Sequence, residues 1–210
     1  MPYSNESLLK FTEDLSAKLA APGGGAAAAL VGAVAASLNC MVGNFTAGNE
    51  KYVSVSEEVK ELLELSGKHR KELLVLLDAD VEAYGNYSKA SKLSKNTVEE
   101  KLLRAKAMEA AIKTAAEVPF NIMRLCDKVL KVCEVLVFKG NKNLITDVGV
   151  SVCFAKAAQK SAYLNVLINI LCLKDEAFKS KMKKESDSLL TEAERIEKLV
   201  EKECFKILNG

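Results

Sequence analysis

Ala21-Pro22-Gly23-Gly24-Gly25-Ala26-Ala27-Ala28-Ala29-Leu30-Val31-Gly32-Ala33-Val34-Ala35-Ala36-Ser37-Leu38-Asn39-Cys40-Met41-Val42-Gly43-Asn44-Phe45-Thr46 is the stretch on which the fold turns. Pro22 disfavours helix at Ala21, and three consecutive glycines open backbone angles that other residues resist, so a break is expected there. From Ala26 the chain is apolar almost all the way round, with Ala29, Gly32, Ala33, Ala36 and Gly43 recurring at helical spacing. A helix of that kind is buried on most sides and lets its neighbours approach closely. A central helix wrapped by others predicts an all-α fold, an antiparallel bundle of long helices.

The flanking segments agree. Upstream, Leu8, Phe11, Leu15 and Leu19 form one helical stripe within Ser4 to Leu19, predicting a first helix laid on a core. Downstream of Ser56, Val59, Leu62, Leu63, Ser66, Leu73, Leu77, Asp80, Tyr84 and Tyr87 keep helical phase for about nine turns. Thr97 and Glu100 make a capping box for a helix reaching Val118, and Pro119 either kinks that helix or opens the next. Asn121 to Phe138 stays apolar in period, and Lys139 to Asn143 reads as a loop. Thr146-Asp147 is expected to cap a buried helix from Val148 to Cys172, and Asp175 to begin a two-faced last helix. Nothing alternates like a strand for long, and one domain over residues 1–210 is the expectation.

Composition narrows the function classes. Thirty Lys and Arg against 28 Asp and Glu leave a formal charge of +2, which supplies no basic field for nucleic acid, and there is no Trp for a stacking platform. Six cysteines without a C-x-x-C pair, nearly all in apolar periodic stretches, read as buried free thiols of a reducing cytoplasm. Met1 to Ala21 has no signal-peptide pattern, and the apolar run Ala26 to Leu38 is shorter than the about 20 residues of a membrane span.

Few residues offer chemistry. Pro22 to Gly25 feeding a helix can present bare N–H groups to an anion, or can be a tight helix corner. Asp78 and Asp80 lie about 200° apart on their helix, so only one faces a given pocket. Asp80 stands in the row Leu73, Leu77, Tyr84, Tyr87, where packing alone asks for Leu. A carboxyl there is either a buried structural Asp or a desolvated group with a raised pKa suited to general acid work. Asp78 is an orienting partner or a solvated neighbour. His69, the only histidine, sits in Gly67-Lys68-His69-Arg70-Lys71 and reads as a solvated imidazole. One histidine and scattered cysteines argue against a zinc site or a Ser-His-Asp triad. The Lys179 to Lys184 run reads as a solvated helix face.

Taken in order, several segments resemble the formiminotetrahydrofolate cyclodeaminase family, which includes methenyltetrahydrofolate cyclohydrolases. They are Ala21-Pro22-Gly23-Gly24-Gly25, Leu77-Asp78-Ala79-Asp80, Leu93-Ser94-Lys95-Asn96-Thr97, Val118-Pro119, Gly140-Asn141, Thr146-Asp147, Asn165-Val166-Leu167-Ile168-Asn169 and Asp175-Glu176-Ala177-Phe178. The resemblance covers essentially the whole chain. It implies an all-α homodimer with folate sites at or near the subunit interface, and no metal or redox cofactor. It makes Asp80 the proton donor, with Asp78 beside it. It also places Pro22, Gly23, Gly24, Gly25, Lys51, Lys95, Asn141, Lys142, Asp147 and Asn165 at or near the folate, the lysines serving a tail that can be polyglutamylated. Two departures stand out: Ala26 where the family often has Ser, and Leu93-Ser94-Lys95 where it has L-P-K. The first removes a hydroxyl from the glycine turn and leaves its backbone donors. No formiminotransferase segment accompanies the domain, so a transfer step is expected of another protein. The implied reaction is formation of 5,10-methenyltetrahydrofolate from 5-formiminotetrahydrofolate with loss of ammonia, and the alternative is hydrolysis of methenyl- to 10-formyltetrahydrofolate. A reading of another class is a catalytically silent helical interaction module.

Overall fold

The computed structural model describes residues 2–209. Six α-helices follow one another: α1 (Leu8–Ser16), α2 (Gly24–Ala47), α3 (Ser56–Ser91), α4 (Val98–Lys139), α5 (Ile145–Leu171) and α6 (Glu176–Leu208). Short 3₁₀ turns lie at Tyr3–Asn5, Glu50–Val55 and Lys142–Leu144, and no strand occurs among the described residues. The protein is an all-α bundle with α2 at its centre.

Named contacts set the directions of the helices. Along α2, Gly25 meets Asp80, Gly32 meets Leu73 and Gly43 meets Leu63, so α3 runs antiparallel to it. Ser151 donates to the Ala35 carbonyl at 2.9 Å and Gly24 neighbours Asn165, so α5 is antiparallel as well. Asn39 Nδ2 donates to the Val129 carbonyl at 3.1 Å, on an α4 that runs parallel to α2. Small residues allow this crowding: a Cβ at Gly32 would stand 3.1 Å from Cys126 Sγ and 3.2 Å from Leu73 Cδ2. The core is one cluster in which Leu73, Leu77, Ile122, Met123, Leu130 and Leu136 are essentially fully buried. Each such side chain contributes about 1.5–3 kcal/mol by leaving water. Helix α2 is long and apolar enough to cross a membrane by length and composition, which the run Ala26 to Leu38 alone is not, yet 56% of its most apolar window is buried inside the bundle.

Several expectations are corrected. The first helix ends at Ser16 and starts after Ser7, whose Oγ accepts from the Lys10 N–H at 3.0 Å. Only Phe11 of its stripe is buried, while Leu8, Leu15 and Leu19 are exposed, because α1 touches the bundle through one turn. Of the two readings of Pro119, the opening of a new helix is overturned, since α4 runs through it for 42 residues. Thr146 and Asp147 lie inside α5, whose N-cap is Leu144 with no side-chain cap. Among the described residues no glycine adopts a left-handed backbone, and Gly23 is extended at φ −134°. Of the three in the turn, it is Gly25 whose missing side chain matters, since a Cβ there would collide with Asp80, whereas nothing stands within 4 Å of one at Gly23. Cys126, Cys133 and Cys204 are buried, whereas Cys153 and Cys172 are exposed and Cys40 is half-buried. Burial pushes the Cys126 thiol up to about 12 and the Cys133 thiol up to about 11, which makes both inert near neutral pH. His69 is not solvated. It is 6% exposed, its Nδ1 has no partner, and burial lowers its pKa, with Lys128 adding to the effect. Its polar sequence neighbours face outward while the ring turns into the bundle.

Candidate active site

A cavity of about 390 Å³ opens at the end of the bundle where α2 begins. That is within the range of small-molecule sites. The segment from Ala20 to Gly25 forms one side, Asp80, Tyr84 and Tyr87 of α3 the second, Ile112 and Ala115 of α4 the third, and Asn165, Ile168 and Asn169 of α5 the fourth. Among the described residues, Asp80 is the one acidic side chain in the wall, and no Lys, Arg or His lines it.

The glycine turn and Asp80 are built for each other. Helix α2 starts at Gly24, so its first N–H groups have no partners within the helix. Asp80 Oδ2 accepts one of them, the Ala26 N–H, at 2.9 Å. A Cβ at Gly25 would lie 2.1 Å from Asp80 Oδ1, so only glycine leaves room for the carboxyl at that position. Burial pushes the Asp80 pKa above its ordinary value near 3.8, and the Ala26 N–H pulls it partly back. The result is a carboxyl group that holds its proton more readily than a solvated one.

The remaining walls are a mixture of apolar surface and of hydroxyl and amide groups. Tyr84 and Tyr87 follow Asp80 at helical spacing and place their ring centroids 6.3 Å apart. Asn165 Nδ2 donates to the Ser161 carbonyl at 2.9 Å. Asn169 Nδ2 donates to the carbonyls of Ala115 and Asn165, both at 2.8 Å. Among the described residues no group of three His, Cys, Asp or Glu side chains is gathered to hold a metal ion.

The structure thus brings together Gly23, Gly24, Gly25, Asp80 and Asn165, with Pro22 buried just behind the turn. It does not bring Asp78 to them: Asp78 Oδ1 accepts from the Ser4 N–H at 3.3 Å, on the face that the helical phase turns away from the cavity. Lys51, Asn141, Lys142 and Asp147 lie at the other end of α2, about 36 Å away for 24 residues of helix. There the Asn141 N–H donates to Thr46 Oγ1 at 2.9 Å and the Lys142 N–H to the Tyr52 hydroxyl at 2.9 Å. Lys95 is exposed in the turn between α3 and α4. Tyr84, Tyr87 and Asn169 were not among the expected site residues. The tyrosines share the Asp80 row, and Asn169 stands one turn after Asn165 on an otherwise apolar helix, so a signal for each was present.

The fold and cavity define an all-helical small-molecule site that presents one half-buried acid beside a helix N-terminus. Residues 7–188 match the formiminotransferase-cyclodeaminase family. The chain is 43% identical to a methenyltetrahydrofolate cyclohydrolase of Methylorubrum extorquens, covering 90% of this chain and 91% of that protein. It is 33% identical to the formimidoyltransferase-cyclodeaminase of Gallus gallus across 90% of this chain, and spans 35% of that longer protein. The crystal structure of a formiminotetrahydrofolate cyclodeaminase from Thermotoga maritima superposes with a TM-score of 0.88 at 30% identity, over 97% of this chain and 98% of that one. This chain belongs to the formiminotransferase-cyclodeaminase family.

Proposed function

We propose that the protein is a folate one-carbon enzyme whose domain, residues 1–210, closes 5-formiminotetrahydrofolate to 5,10-methenyltetrahydrofolate with release of ammonia. The observation that carries this reading is Asp80, the one acid in the cavity wall, with burial favouring its protonated form. N10 of the folate attacks the formimino carbon, forming the new C–N bond as the C=N π bond opens, and the N10 proton passes to the formimino nitrogen, which becomes an amino group. The amino group of the tetrahedral adduct takes a proton from Asp80 and leaves as ammonia, and the remaining C=N bond is the methenyl amidinium. Asp80 is left as carboxylate, beside a ring system that has become cationic, and the absence of Lys and Arg from the wall suits that charge. A positioned general acid contributes typically about 10²–10⁴-fold, and the enclosing walls supply the ring-closing geometry. The step draws on no cofactor. Asp78 has no part in it.

The second reading is cyclohydrolase activity, favoured by the 43% identity to a full-length cyclohydrolase. There Asp80 would manage the proton of an attacking water. Supplying 5-formimino- and methenyltetrahydrofolate separately and following methenyl absorbance decides between them: absorbance that appears with ammonia supports the first reading, and accelerated loss of absorbance supports the second. No folate binding in equilibrium dialysis would leave the silent interaction module.

The proposal includes a cytoplasmic homodimer. Val150, Phe154, Leu164, Ile168 and Leu171 of α5 are exposed at helical spacing, as are Val31, Val34 and Phe45 of α2. A second copy related by a two-fold axis perpendicular to these helices would cover both stripes. It would also set the Lys51, Asn141, Lys142 and Asp147 end of one copy beside the cavity of the other. The lysines would then face the glutamate tail of the folate.

A further inference from the structure

Pro119 sits in the interior of α4. A residue there would normally donate its N–H to the carbonyl four positions back, which is that of Ala115, and proline has no N–H to give. The Ala115 carbonyl is taken up instead by another helix: Asn169 Nδ2 of α5 donates to it at 2.8 Å. The second amide hydrogen of Asn169 goes to the Asn165 carbonyl, also at 2.8 Å. Both neighbours of that nitrogen are carbonyl oxygens, so the amide has one sensible orientation. Its Oδ1 is then an obligate acceptor that takes no hydrogen bond from any of the described residues, and the residue lines the cavity.

The rest of the wall mixes donors and acceptors, with the hydroxyls of Tyr84 and Tyr87 and the N–H groups that open α2 among the donors. Asp80 contributes carboxyl oxygens, and Asn165 spends one Nδ2 hydrogen on Ser161. Asn165 and Asn169 are separated by one turn, about 6 Å along α5, so acceptors are spread along the cavity and not gathered at one point. A flat ligand that carries an N–H donor on its edge can meet the Asn169 oxygen, with the other walls free to serve the rest of its outline.

We propose that Asn169 orients the substrate by accepting from the amino-bearing edge of the pterin ring, and that Pro119 fixes it for this by freeing the Ala115 carbonyl. The inference rests on the folate reading above and deepens it. Asn169 touches the ligand, and Pro119 is a positioning residue that acts through it.

The test compares tetrahydrofolate with its 2-desamino analogue, which lacks the donor. The wild-type protein is expected to prefer tetrahydrofolate by about 5–10-fold in Kd, the value of one hydrogen bond. Asn169→Ala is expected to bind the two ligands alike. Pro119→Ala restores an N–H that recaptures Ala115, so it should lower the preference in the same direction without lowering the melting temperature, alanine being the better helix residue. A purely structural Asn169 would weaken both ligands together and keep their ratio, and that result overturns the proposal. So does a wild-type protein that binds both ligands equally. Should Asn169→Ala not fold, an unchanged ratio in Pro119→Ala overturns the relay. Absence of any tetrahydrofolate binding by the wild-type protein would instead bring down the folate reading itself, and this inference with it.

Discussion

Gly25 and Asp80 occupy what would be one space: a Cβ added to Gly25 would come within 2.1 Å of Asp80 Oδ1 and 2.6 Å of its Cγ. The carboxyl group owes its place over the start of α2 to that missing methyl. Gly25→Ala is therefore expected to swing Asp80 out of line and lower turnover by about 100-fold, on the scale of losing a general acid. Helicity should be retained. Gly24→Ala is the control, because its Cβ would meet Asn165 Nδ2 at an ordinary 3.5 Å. Equal activity of the two variants in steady-state assays would show that the glycines are only a helix corner.

Asp80→Asn should remove most turnover, about 10²–10⁴-fold, while folate binding by equilibrium dialysis stays within a few-fold. The raised pKa also sets a pH dependence. As an acid, Asp80 must be protonated, so kcat falls as pH rises through its folded-state pKa, and the variant loses that limb. Stability carries the same sign. The fold favours protonated Asp80, a contribution fully present below the ordinary value near 3.8 and lost as pH rises through the folded pKa. Thermal melts should accordingly show Asp80→Asn gaining on wild type from acid toward neutral pH.

His69 predicts a pH effect of the opposite direction. Its pKa is lowered by burial, by Lys128 and by Lys68, against an opposing pull from Glu72. The unfolded chain then binds the proton more tightly than the native state. Stability is complete above the ordinary value of 6.5 and is lost as pH falls from there through the folded pKa. In His69→Leu this loss should be absent, so the melting temperatures of variant and wild type, compared across pH 7 to pH 5, should diverge as pH falls. Parallel curves would mean that the ring takes up its proton without cost.

Phe154 lies at the middle of the exposed stripe of α5, away from the cavity. In the proposed homodimer, Phe154→Glu should convert the dimer to a monomer in sedimentation and raise KM for polyglutamylated folate, by withdrawing the lysines the proposal assigns to the partner. In wild type, affinity should rise with glutamate number and weaken with salt, exposed charges being screened over about 8–10 Å. A more pointed check mixes Asp80→Asn subunits with subunits carrying Lys51→Ala and Lys142→Ala. If sites are shared between copies, the mixture recovers activity that neither parent has, and a mixture no better than its parents argues for complete sites within each subunit.

Much of this architecture was legible along the chain, because helical phase and capping are local. The Thr97 and Glu100 box caps α4 as expected, with the Glu100 N–H donating to Thr97 Oγ1 at 3.1 Å. The small residues of α2 marked it as the central helix, and the phase of α3 separated Asp80 from Asp78. The tertiary structure alone decided what depends on the register between helices. Asn169 reaches Ala115 only because α4 and α5 run antiparallel with those residues level, and residues 54 positions apart carry no mark of such alignment. His69 is buried among charged neighbours for the same reason, since the helix packed against its face decides whether water reaches it. Lys51, Asn141 and Lys142 follow the motifs in order yet stand at the far end of α2, because the rigid length of a 24-residue helix separates segments that a sequence sets side by side. Periodicity says which face of each helix turns inward, while the contacts made there arise from how all the helices pack together.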